Sequence, residues 1–244
     1  MHIITPDWPA PEPVKTLVTC RQGGVSQAGY ASFNLAQHVA DDEALVEANR
    51  QQLIQQAKLP SQPVWLNQVH GINAIDISDV NGTAVPQADA SIARNQHSVC
   101  AVMTADCLPV LLCKADGSAV AAVHAGWRGL LSGVIENTVS QLGEAERVLA
   151  WLGPAIGPGQ FEVGFEVKQA FTDKKSVMQQ AFQQVDRTHY LADLYALARM
   201  TLLHCGVKRM YGGEHCTYNQ PNQFYSYRRD AVTGRMASLI WLQS

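Results

Sequence analysis

Apolar residues gather in this chain as short, dense runs. Residues 99–104 (VCAVMT), 110–114 (VLLCK) and 119–124 (AVAAVH) are nearly solid apolar stretches, each ended by a polar or turn residue. Runs of that length suit strands buried on both faces. Residues 14–20, 147–152, 207–211 and 237–242 read the same way, and 64–70 (VWLNQVH) reads as a short strand or extended segment. Helical spacing takes over between them. Within residues 129–142, Leu130, Leu131, Val134, Ile135, Val139 and Leu142 recur at three- and four-residue steps, which marks one apolar helix face. Residues 42–58, acidic at the start and poor in breakers, predict a second helix, and 166–185 and 191–204 predict two more. Glycine, serine and proline mark the connections: a lead-in at 6–13, a loop at 21–34, a turn-rich segment at 76–86 and GPAIGPG at 153–159. Strands and helices interleave throughout, so the expected class is α/β or mixed α+β, with helices covering sheet faces.

Composition narrows the function classes. A chain of 244 residues is long enough to bury a full core as one large domain or two small ones. Its net charge of −3, with no basic run, argues against broad nucleic-acid or anionic-membrane binding. The opening MHIITPDWPAPEPV lacks a basic and an apolar region, and no apolar stretch is long enough to span a bilayer, so a cytoplasmic protein is expected. Six cysteines in a chain this long are too few for a disulfide scaffold and are expected as thiols. Cys20, Cys100, Cys113 and Cys205 read as small buried residues.

Three residues of metal-ligand type stand apart because each closes or follows a predicted strand: His70 before Gly71, Cys107 in TADCLP, and His124 opening HAGWRG. Imidazole nitrogen and thiolate sulfur both bind zinc, and a catalytic zinc keeps three protein ligands and one open position. The spacings, 37 residues and then 17, are long, and no CxxC or HxxxH pair is present, so spacing alone assigns no metal. The setting of His124 adds weight. Two glycines flank Trp127 and Arg128 at a predicted helix start, where backbone amides and a guanidinium fork attract anions. Asp106, beside Cys107, either orients a ligand, moves a proton or accepts hydrogen bonds in a buried turn.

NQVHG (67–71), ADCLPVLL (105–112), AAVHAGWRG (121–129), GPAIGP (153–158), CTY (216–218) and FYSYRRDAVTGRMASLIWL (224–242), with CRQGGVS and FNL near the start, resemble the YfiH-like "laccase-domain" family of purine nucleoside phosphorylases. The resemblance covers nearly the whole chain in order. It departs at Cys20, where family members often carry threonine before the arginine, and at Ala155 and Gly159, where many carry cysteine. It implies a single α/β domain over 1–244, layered α/β/β/α with mixed sheets. It also implies zinc on His70, Cys107 and His124, and nucleoside and phosphate as substrates. Phosphorolysis of adenosine, inosine and methylthioadenosine is the implied activity, with adenosine deamination beside it. For phosphorolysis, Arg21, Arg128 and Arg228 are the expected phosphate donors. For deamination, no glutamate lies beside the motifs to shuttle protons, which leaves Asp106.

Three rival readings use the same residues. Copper can occupy a Cys/His₂ site and oxidise phenols, although a multicopper oxidase needs clustered histidines, and here the closest pair, His204 and His215, is 11 apart. A cysteine hydrolase would use Cys107 as nucleophile and His124 as base. A metal store would need no anion cradle.

Overall fold

Two sheets stacked face to face place the ends of their strands along one rim. The computed structural model describes residues 1–80 and 85–243; of the predicted turn-rich segment, positions 81–84 lie outside the described residues. The first sheet runs in the order β1 (Ile3–Ile4), β2 (Val14–Thr19), β14 (Met236–Leu242), β6 (Val99–Thr104), β3 (Pro63–Val64). It is antiparallel apart from the β3–β6 pair. The second runs β13 (Arg209–Gly212), β9 (Val148–Leu152), β7 (Leu108–Lys114), β8 (Val120–Ala125), β5 (Ala90–Ala93), β4 (Ala74–Asp76), antiparallel in its centre and parallel at both edges. A small antiparallel sheet of β10 (Glu162–Gly164), β12 (His189–Ala192) and β11 (Phe182–Gln184) sits beside them.

The period-two pattern explains the layers. Along β7, Leu111 and Cys113 join Val120, Ala122 and Trp151 against Val18, Cys100, Val102 and Ile240 of the first sheet. The alternate residues Leu108, Val110 and Leu112 face the other way, under α3 (Val134–Leu142) and α5 (Leu194–His204). Beyond the first sheet, Leu53 of α1 (Glu43–Ala57), with Phe33 and Leu35, covers Leu17, Ala101, Met103 and Leu239. Both sheets are therefore covered on both faces, which is why their strands read as unbroken apolar runs. The arrangement is the expected mixed α/β class in α/β/β/α order.

Helix ends differ from the sequence reading where local chemistry intervenes. The Asp42 side chain accepts the Ala44 amide at 2.8 Å and starts α1, a cap worth about 1 kcal/mol. The helix expected over 129–142 is broken at Gly133, whose φ of 112° lies outside the helical region, into α2 (Trp127–Ser132) and α3. The helix expected over 166–185 stops as α4 (Phe165–Lys174), and the chain continues as a 3-10 turn and β11. Asp193 caps α5, so the helix expected from 191 begins at Leu194, and residues 191 and 192 belong to β12 instead. Of the segment 64–70, only the start is strand; the rest is an open loop, with His70 at a φ of 60°.

One connection positions the site. β6 belongs to the first sheet and β7 to the second, so residues 105–107 carry the chain across the gap between the layers. The end of β8 arrives at the same rim, with His124 paired to Pro109 in register.

Candidate metal centre and substrate cavity

Cys107 sits on that crossing, His124 at the end of β8, and His70 on the loop between β3 and β4. Their ligand atoms lie within 4.8 Å of one another, and Cys107 Sγ is 3.7 Å from His70 Nε2. The imidazole rings meet edge-on, with centroids 4.7 Å apart. Tetrahedral zinc would hold sulfur and nitrogen about 3.6 Å apart, given bonds of about 2.3 and 2.05 Å. The donor set and its spacing thus fit a metal ion.

Asp89 builds this arrangement. Its carboxylate is fully buried and receives four donors: His124 Nδ1 at 2.8 Å, and the backbone amides of His70 at 2.9 Å, Gly71 at 2.7 Å and Val69 at 3.2 Å. An ionised carboxylate only accepts, so His124 Nδ1 carries the proton and Nε2 is left for the metal. One side chain therefore fixes the tautomer of one ligand and the backbone of another. Burial by itself would raise the Asp89 pKa, but the bond from His124 and the amides of Gly71 and Val69 hold it below the usual carboxylate range. Burial would likewise raise the Cys107 thiol, and the charge and hydrogen bond of His124, aided by His70, bring it below its ordinary value instead. The same attraction, with that of Asp89, raises His124 despite its burial. Without metal, the pair is a thiolate beside an imidazolium, ready to exchange its proton for a cation.

The triad opens into a cavity of about 550 Å³, which is within the range of small-molecule sites. Trp127, Phe161 and Tyr227 supply aromatic walls; Arg128, Arg228 and Arg235 supply positive groups, and His38 lines the cavity with them. Asp106 is the one carboxylate that lines it among the described residues.

The sequence model of a family described as multi-copper polyphenol oxidoreductase laccase matches residues 15–243. The chain belongs to this family. Purine nucleoside phosphorylase YfiH of Escherichia coli (strain K12) is 51% identical over 242 residues, covering 98% of each chain. A purine nucleoside phosphorylase of Haemophilus influenzae is 44% identical, with both chains fully covered. Among solved structures, Neisseria meningitidis protein NMB0706 superposes with a TM-score of 0.96 at 48% identity over the full length of both chains. YlmD from Geobacillus stearothermophilus gives 0.87 at 28% identity, covering 96% of this chain and 93% of its own.

The family description speaks of several coppers. Among the described residues of this laccase-family chain, His70, Cys107 and His124 are the one group of three or more such side chains close enough to share an ion. All six cysteines are unpaired, and no helix of the described residues is long and apolar enough to cross a membrane.

Of the other residues singled out in the sequence, Arg128 and Arg228 reach the cavity and Arg21 does not. Arg21 donates from Nε to Ala31 O and from Nη1 to Pro221 O and lies over the Tyr225 ring, so its guanidinium is spent on tying loops together. Arg128 stacks on Trp127 at 4.4 Å and has no protein acceptor among the described residues. Its helix, α2, has only six residues, so the guanidinium rather than a helix dipole is the anion donor there. Asp106, at a φ of 89°, accepts from Thr217 Oγ1 at 2.6 Å and from the Arg228 amide at 2.7 Å. Both oxygens are engaged, which makes it the turn acceptor that fixes Arg228. Sequence reasoning missed Asp89, His38, Gln68 and Arg235. The signal for Asp89 was a lone carboxylate in the small apolar run ADASIA.

Gly126 shows how tightly the centre is built. A Cβ there would meet His70 Cδ2 at 2.8 Å and Cys107 Sγ at 3.0 Å. Its φ of −61° and ψ of 155° suit any residue, so only this contact requires glycine. Gly126→Ala is expected to weaken metal binding by about tenfold and, because an overpacking cost of about 1–3 kcal/mol is present without metal as well, to lower the melting temperature of the metal-free fold by several degrees. Chelator competition measures it, and unchanged affinity would show that the His70 loop absorbs the methyl group.

Proposed function

We propose that this protein is a zinc-dependent purine nucleoside phosphorylase of the cytoplasm, converting adenosine, inosine or methylthioadenosine plus orthophosphate to free base and ribose 1-phosphate. One observation carries the reading: a single cavity combines three metal-type ligands with guanidinium groups that have no carboxylate partner among the described residues. The names of the relatives point the same way.

Bound zinc supplies a Lewis acid and an acidified water at its open position. The chain's own groups do the rest. Arg128, which has no protein acceptor among the described residues, draws the phosphate oxygens and stabilises charge on them, while Arg228 lines the cavity with Nη1 already given to Glu162 O at 3.1 Å and adds its remaining charge. Trp127, Phe161 and Tyr227 shed water around ribose and base. A phosphate oxygen bonds to ribose C1′ as the C1′–purine nitrogen bond breaks, and its electron pair leaves on the purine, which takes a proton. Asp106 is a positioning residue in this scheme because both its oxygens are already used. The same fact disfavours deamination, since a zinc deaminase needs a carboxylate free to shuttle protons and no glutamate lines the cavity among the described residues. Zinc is favoured over copper because one isolated Cys/His₂ cluster suits a redox-inert ion better than multi-centre oxidation.

The test incubates metal-quantified protein with adenosine, with and without phosphate. Adenine and ribose 1-phosphate should form faster than inosine and in proportion to phosphate; inosine formed regardless of phosphate would overturn the reading. A second reading has one observation in its favour. Asp89, His124 and Cys107 line up as acid, base and nucleophile, with 2.8 Å between Asp89 Oδ1 and His124 Nδ1, as in a cysteine hydrolase. A hydrolase does not need His70 on the sulfur, and activity that survives metal removal would favour it.

A further inference from the structure

Two basic side chains in the cavity have no role in the scheme above. Arg235, just before β14, is partly buried, and His38 is exposed in the turn that follows Phe33–Ala36. Buried Asn34 ties the two segments together. Its Oδ1 accepts the Arg235 amide at 3.0 Å and the Ala36 amide at 3.1 Å, and its Nδ2 donates to Ala36 O and Asp41 Oδ2. The Asn34 carbonyl accepts in turn from Asn49 of α1 at 2.9 Å. Gly234 permits the close approach, because a Cβ there would lie 2.9 Å from Asn34 Cβ and 2.8 Å from Tyr225 Cζ.

The charge in this corner is not balanced. Arg235 Nη1 is turned onto its own backbone, donating to Thr233 O at 2.9 Å and Gly234 O at 3.0 Å. Its Nε and Nη2 have no protein acceptor among the described residues, and neither has the His38 ring. Asp106, the nearest carboxylate in the cavity, has both oxygens engaged, and Asp41 is held by Asn34 and the Asp42 amide. A guanidinium withdrawn from water beside an imidazole is costly unless an anion completes it. Burial first, and then the charges of Arg235, Arg50 and His124, lower the His38 pKa, so its ring faces the cavity as a neutral hydrogen-bonding group near neutral pH.

We propose that Arg235 and His38 complete the seat of the phosphate co-substrate together with Arg128 of the same cavity, with Arg235 Nε and Nη2 as a two-pronged donor and His38 as a further one. This rests on the phosphorylase reading and adds two donors to the arginine named there. The seat opens on the same cavity as the metal ligands, so an oxyanion held there stays within one chamber with the ribose. Two parallel N–H donors match two oxygens of a tetrahedral anion, a geometry lysine cannot offer.

Arg235→Gln, Arg235→Lys and His38→Asn test it. Orthophosphate and a nucleoside 5′-monophosphate are titrated calorimetrically into zinc-loaded protein, and steady-state phosphorolysis is measured alongside. His38 makes no hydrogen bond with the described protein, so His38→Asn keeps the test open if the arginine variants fold poorly. Arg235→Gln should weaken orthophosphate binding and raise its KM by about tenfold to a hundredfold, with lysine restoring little and the nucleoside KM within about twofold of the parent. Metal content and melting temperature should match the parent. Equal damage to both substrates, unchanged orthophosphate affinity, or weakened binding of the monophosphate alone would each overturn the proposal. Orthophosphate binding that depends on Arg235 in a protein without phosphorolysis would keep the seat and refute the phosphorylase reading.

Discussion

Replacing Cys107 by alanine should remove the metal and the activity together. The thiolate is one of three donors, and the two that remain are unequal: His124 is buried and held by Asp89, whereas His70 is exposed on a loop. Loss of a donor should weaken zinc binding by more than the roughly 100-fold seen when an outer partner of a ligand is lost. Apart from its pairing with the two imidazoles, the sulfur makes no hydrogen bond among the described residues. The residue is only partly buried and lies on the crossing between β6 and β7, so the metal-free variant should fold as the parent does and lose only that pairing. Cys107→Ser should fail as well, because a hydroxyl lacks the acidity that the neighbouring imidazoles confer on the thiol. Elemental analysis after dialysis, with melting curves, decides the matter; a full equivalent of metal in Cys107→Ala sinks the assignment.

Asp89→Asn is the second large effect, and it acts on both stability and metal. The carboxylate faces four N–H donors and nothing else polar. An amide of the same size brings one acceptor oxygen and points an NH₂ at donors. Buried donors without an acceptor cost about 1–3 kcal/mol each, and breaking a buried charged pair costs about 3–5 kcal/mol, so a loss of about 3–5 kcal/mol is expected. Zinc affinity should fall by about 10–100-fold as the His124 tautomer and the His70 loop lose their anchor. The pH dependence has a definite sign. Asp89 has its pKa depressed in the fold, so its stabilisation is fully present above the unfolded value of about 3.9 and is lost as pH falls through the lower folded value. The gap between parent and variant, measured by denaturant melts without metal, should therefore be widest near neutrality and close in acid. A gap that is constant with pH would mean that the carboxylate's charge is irrelevant.

How far these residues could be read in advance follows from what a linear pattern records. Residues 99–104, 110–114 and 237–242 were legible as strands because burial on both faces leaves an apolar run, and α1 because its start and stop are local chemistry. His70, Cys107 and His124 were legible because few side chains bind metals and each falls in a recognisable motif, although the strand expected to end at His70 is an open loop there. Arg21 was misplaced because a guanidinium looks the same in sequence whether it meets a ligand or the carbonyls of Ala31 and Pro221.

The sequence by itself determined the buried strands, the metal-type side chains and two of the arginines that line the cavity, through residue type and short-range pattern, whereas the layer order and the grouping of the ligands came through resemblance to a family. Only the tertiary structure decided that β6 and β7, consecutive in the chain, lie in different sheets, and that the crossing brings Cys107 to the end of β8. It also decided that Asp89 serves His124, 35 residues away, together with the His70 loop, and that Asn34 ties Ala36 to Arg235, 201 residues from Asn34, at the cavity that His38 also lines. The physical reason is that hydrophobic periodicity encodes which face of an element is buried. Which buried carboxylate meets which imidazole is set by sheet pairing between distant segments, and hydrogen bonds over such separations leave no periodic trace in the chain.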